Sequence, residues 1–178
     1  MGDIGLLMIR LVVGLLLAGH GTQKLFGWFG GAGPAETGRQ FAAMGYRSGR
    51  AMAVLAGLSE LGAGCALAVG VATPLATAAV VGVMVNAAVA AHGKNGLWAD
   101  NGGYEYALVI GVVAVGIATH GPGDFSVDAL VGMTKTGWAW GLGVAVLGAA
   151  SATIVLLSRQ SEETNSDPTR SHDEPRAE

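Results

Sequence analysis

Residues 51–71 read AMAVLAGLSELGAGCALAVGV, an apolar run broken by a single charged side chain, Glu60. The run has the length of about 20 residues that a helix needs to cross a hydrocarbon core. At about 100° per residue, Ala53, Ala56, Gly57 and Gly64 fall within about 60° of Glu60, so the carboxylate sits in a stripe of small residues. Such stripes are where membrane helices approach one another. Cys65 lies about 140° away on the same helix and faces lipid or another neighbour, as a small apolar filler.

Four further apolar runs lie at about 4–20, 75–91, 104–120 and 137–158. Of the 178 residues 51% come from the AVILMFWYC set and 30 are Gly, only 13% are charged, and the mean hydropathy is +0.49. Soluble domains carry about a quarter charged residues. The reading is an all-α membrane protein: a four-helix transmembrane bundle with an additional C-terminal transmembrane helix. The first run is expected to be kept as a helix, since Asp3 stands where a signal peptide would have Lys or Arg. The breakers GWFGGAGP at 27–34, TP at 73–74, HGKNG at 92–96 and HGPG at 120–123 separate the spans.

The formal net charge of −3 resides in residues 159–178, which carry Ser, Thr, Pro and charge without an apolar period and read as a disordered acidic tail. The remaining chain is neutral overall, which excludes a phosphate-backbone binder. One cysteine excludes an intrachain disulfide, a CxxC pair and a thiolate zinc site, and no metal motif is present. Lys24, Arg39, Arg47, Arg50, Lys94 and the tail arginines share one side of a five-span topology, opposite Lys135. By the positive-inside rule that side, with the tail, is cytoplasmic.

Charge at membrane depth is costly unless paired, so its positions carry the functional information. Arg10 lies ten residues before His20, and Glu60 ten residues after Arg50. Measured from one membrane side this places both at about 15 Å depth, and predicts an Arg10–Glu60 ion pair. The third run presents Ala79, Gly82, Asn86, Ala90 and Gly93 on one face; the fourth presents Glu105, Val112, Gly116 and Thr119; the first presents Arg10, Gly14, Gly21 and Lys24. His20, Gln23, Lys24, His92, Tyr104 and Glu105 collect at one mouth of the bundle, a density of polar groups that reads as a site for a polar or amphipathic ligand. His20, His92 and His120 each precede a Gly at an expected helix end, where a cap competes with a functional role as proton carrier or ligand donor. Capping is the expectation for His120, which the topology puts on the opposite side.

The stretch RLxxGxxxxxHGxQKLFGWFGG from Arg10 to Gly31 resembles the start of the DoxX family. Later stations fit as well: Glu60-Leu61-Gly62-Ala63-Gly64, Asn86 and His92, and Asn101-Gly102-Gly103-Tyr104-Glu105, so that the resemblance covers roughly 4–120. The fifth span and the tail depart from the usual four-helix core. The resemblance implies a multi-pass protein of the bacterial cytoplasmic membrane, with relatives that include a quinone-linked thiosulfate oxidoreductase subunit and a membrane anchor for a complex with superoxide dismutase and a sulfurtransferase. Arg10, His20, Lys24, Glu60 and Glu105 are the family-like polar residues.

The sequence holds no nucleotide fingerprint and no haem-attachment motif, so no intrinsic cofactor is expected and quinone enters as a bound substrate. The leading expectation is the membrane subunit of a quinone-linked oxidoreductase, fed with electrons by a soluble redox or sulfur-transfer protein. Glu60, His20 and Glu105 are its candidate proton carriers; Arg10, Gln23, Lys24, Asn86, His92 and Tyr104 are its candidate ligand contacts. A non-catalytic anchor or assembly factor and a small-solute or proton-coupled transporter are the alternatives.

Overall fold

The computed structural model describes residues 2–159. Residues 160–178 lie outside them, and with them nearly all of the expected tail. Seven α-helices follow one another: α1 (Gly2–Phe26), α2 (Gly33–Ala43), α3 (Gly49–Val69), α4 (Thr73–Asn86), α5 (Glu105–His120), α6 (Val127–Leu130) and α7 (Trp138–Leu157). A π-helical turn, Ala87–Ala91, extends α4. The described residues contain no β-strand.

Among the described residues four helical stretches, Asp3–Phe26, Gly49–Val69, Thr73–Ala91 and Trp138–Leu157, are long and apolar enough to cross a membrane, and Glu105–His120 is a shorter apolar helix. The distribution of side chains is that of a bundle in lipid. Leu15, Leu16, Val112, Val146 and Ile154 point outward and are exposed, while the interior is built mostly of Ala, Gly and Val. The protein is an all-α, multi-pass membrane protein.

Glycine sets how closely α1 and α3 approach. A Cβ on Gly14 would come 2.5 Å from the Gly64 carbonyl oxygen, and one on Gly21 would come 2.7 Å from that of Gly57. The small-residue face read on residues 51–71 is therefore buried, with Ala53, Gly57, Glu60 and Gly64 all inside. The fifth long helix is not an appendage: α7 packs on α4 and α5, and a Cβ on its Gly148 would come 2.6 Å from Val81.

Three expectations are corrected. α1 does not end at His20 but continues to Phe26, with Gly21 inside the helix, so His20 caps nothing. The face read on residues 104–120 is also displaced: Ala114, Ile117 and Ala118 are buried, whereas Val112 and Gly116 are exposed. Glu105 was the guide to that face, but its carboxylate turns back to accept from the Ala99 N–H and so does not report which side of α5 packs.

The third correction concerns Arg10 and Glu60. With α1 six residues longer, Gly14 meets Gly64 and Gly21 meets Gly57, and the register moves by about eight residues, or about 12 Å. Arg10 thus lies at the far end of α3. Its guanidinium, 1% exposed, donates to the carbonyls of Leu67 (3.2 Å), Ala68 (3.3 Å), Phe125 (2.7 Å) and Pro122. Nearby, buried Asp128 accepts from the Ala72 and Thr73 N–H groups, both at 2.8 Å, and caps α4. A cation at the C-terminus of α3 and an anion at the N-terminus of α4 each complement the helix dipole they face. This end of the bundle is locked.

Candidate functional site

At the other end a cavity of about 610 Å³ opens between three helices. Its floor is the small face of α4, Ala78, Ala79, Gly82, Val83 and Asn86, continued by Ala90 of the π turn. Its walls are Met52, Leu55, Ala56 and Ser59 of α3 and Leu147, Ser151, Ala152 and Val155 of α7. Leu55, Leu75 and Leu147 line the cavity and are also among the exposed side chains, so the groove opens sideways toward lipid. From Leu75 to Ala90 it spans fifteen residues of helix, about 22 Å.

The polar groups gather at one end. Lys24 Nζ donates to Glu60 Oε2 at 2.6 Å, with side chains 24% and 7% exposed, and both residues line the cavity. Glu60 is thus paired with a neighbour that reaches water, not with Arg10. Asn86 shares this end, and its Oδ1 accepts from the Tyr46 hydroxyl at 3.0 Å. Its Nδ2 is buried and has no hydrogen-bond partner among the described residues. His92 completes the group; its Nδ1 lies 2.7 Å from the Gly102 carbonyl oxygen.

α2 roofs this end through Thr37, Gln40, Phe41 and Met44. Pro34 starts the helix, and its partly apolar face lies along α3 and α1. The end of α7 fastens the roof: Arg159 Nε donates to the Met44 carbonyl at 2.7 Å, and the guanidinium lies 5.7 Å from the centre of the Tyr46 ring.

Four of the residues named from sequence, Lys24, Glu60, Asn86 and His92, meet in this cavity. The others lie elsewhere. Arg10 is spent on backbone carbonyls at the opposite end. His20 is exposed and pairs with Gln23 on the outside of α1, Nδ1 to Oε1 at 3.0 Å. Tyr104 and Glu105 belong to the connection between the π turn and α5, where Tyr104 donates its N–H to Gly96 and Glu105 holds Ala99.

Two residues escaped the sequence reading. Tyr46, 2% exposed, orients Asn86, and Asp128, 3% exposed, caps α4. Tyr46 sits in a polar connection without periodicity, so no local pattern marks it. Asp128 follows Ser126, which caps α6 through the Ala129 N–H, but its own partners are more than fifty residues away.

Neither the curated proteins nor the solved structures include a match to this chain. The DoxX family model matches residues 5–93, a shorter span than the resemblance suggested, ending just after His92. The match takes in α1 to α4, Lys24, Tyr46, Glu60, Asn86 and His92, and covers half of the chain. On that match and this bundle, the chain belongs to the DoxX family.

Proposed function

We propose that the cavity binds an isoprenoid quinone and that the chain is the membrane subunit of a quinone-linked oxidoreductase, receiving electrons from a protein partner at the Lys24 end. The observation that supports this most is the amphipathic character of the cavity along its length. Donors and acceptors stand at one end, and an apolar groove about 22 Å long leads away from them, open to lipid. A volume of about 610 Å³ lies in the usual range for small-molecule sites, about 300–1,000 Å³. The unpartnered Asn86 Nδ2 fits an oxygen acceptor such as a quinone carbonyl. Lys24, Glu60 and His92 are groups of the types that exchange protons with a quinone oxygen. Lys24, Arg39, Arg47, Arg50 and Lys94 lie at this end, which on this reading faces the bacterial cytoplasm and is where a soluble redox or sulfur-transfer protein docks.

Binding of a short-chain quinone analogue to the purified protein in nanodiscs tests the proposal. Wild type is expected to bind it, Asn86→Leu to bind it more weakly, and Leu147→Trp, which fills the groove, to exclude the long-chain form first. An absence of binding in wild type, under conditions where an established quinone protein binds, would overturn it.

A further inference from the structure

The Gly102 carbonyl accepts from His92 Nδ1 at 2.7 Å and from Asn95 Nδ2 at 3.1 Å. A carbonyl oxygen can only accept, so Nδ1 carries the proton, and in the neutral imidazole Nε2 is left as the acceptor. The connection that presents this carbonyl is tightly built. Gly102 is left-handed, with φ 74°, and a Cβ on Gly103 would come 2.6 Å from the Leu97 backbone. Glu105 closes it twice: its N–H donates to Leu97 O at 2.8 Å and its Oε2 accepts from Ala99 N–H at 2.9 Å.

We infer that Glu105 is a positioning residue which, through the Gly102 carbonyl, holds His92 in the Nδ1–H tautomer, so that His92 Nε2 accepts a hydrogen bond from a ligand hydroxyl in the cavity. The inference rests on the quinone reading for the identity of the ligand, and it specifies which redox form the His92 contact favours. A quinol offers an O–H to Nε2, whereas a quinone carbonyl would meet the ring's lone pair. The Glu105 carboxylate itself handles no proton.

Nitrogen-15 NMR of histidine-labelled protein at mildly alkaline pH reads the tautomer directly. His92→Gln identifies the His92 signals among those of the four histidines. Wild type and Glu105→Gln are expected to show protonated Nδ1 and bare Nε2, since a glutamine oxygen can still accept from Ala99. Glu105→Ala is expected to mix tautomers and to weaken binding of a quinol analogue by on the order of tenfold, the worth of one hydrogen bond. A wild-type His92 protonated on Nε2 would overturn the assignment, as would Glu105→Gln losing quinol binding as fully as Glu105→Ala, because the carboxylate would then be needed as such. A wild type with the expected tautomer that binds neither quinol nor quinone would sustain the histidine assignment and sink the quinone reading instead.

Discussion

Glu60 and Arg10, both buried, behave differently because their partners differ in kind. Glu60 depends on one cation, Lys24, so Glu60→Gln leaves an ammonium without its counter-ion. Breaking a fully buried pair costs about 3–5 kcal/mol. Lys24 keeps 24% of its side chain exposed, so about 2 kcal/mol is the expected loss here. The double variant Lys24→Met with Glu60→Leu should recover much of it. Arg10 instead bonds to four carbonyls on two chain segments. Arg10→Lys is therefore expected to lose about 2–3 kcal/mol despite keeping the charge, because an ammonium cannot fork to that many acceptors. Thermal unfolding in one detergent measures all of these. Losses from Arg10→Lys and Glu60→Gln should add, since the two residues sit at opposite ends and share no partner. Coupling between them would contradict the register set by Gly14 and Gly64.

At the scale of the helix, the sequence was most legible where period and small residues coincide. The face containing Glu60 and the face containing Asn86 were both read from spacing, and the first packs on α1 while the second floors the cavity. Depth was not legible in the same way. It depends on where α1 stops, and a histidine before a glycine imitates a stop signal although Gly21 is there to let α3 approach. α2 was hidden for a related reason: GWFGGAGP is rich in breakers, and the eleven-residue helix that begins inside it at Gly33 is too short and polar to register as a span. Gly64→Leu should overpack the α1 and α3 contact and cost at least about 2–3 kcal/mol, the upper part of the usual overpacking range. Gly62→Leu, with nothing within 4 Å of its Cβ position, should be close to neutral. A shift in unfolding temperature for the first and none for the second checks the packing directly.

For the whole molecule, the site was only half legible, because a cavity is made by helices remote in sequence. Asn86 was singled out on its own helix face, yet Tyr46, which orients it, and the end of α7, which latches Tyr46, lie 40 and more residues away and carry no motif. The tryptophans, by contrast, mark the two ends plainly. Trp28 and Trp98 are exposed at the Lys24 end and Trp138 and Trp140 at the Arg10 end, as in the interfacial belts of membrane proteins. Intrinsic fluorescence should accordingly be quenched more strongly by lipids brominated near the headgroup than by lipids brominated near the chain ends. The reverse order would place these rings, and so the helix ends, at the wrong depth.

Because Leu55, Leu75 and Leu147 leave the groove open along the flank of the bundle, a ligand need never pass through water to reach the polar end. Arrival is then a two-dimensional search within the leaflet, and occupancy is governed by the mole fraction of ligand among lipids, not by its molarity in the tube. Adding empty lipid at fixed total ligand should empty the site by dilution alone, and titrations at different lipid loads should collapse onto one curve only when plotted against that surface fraction.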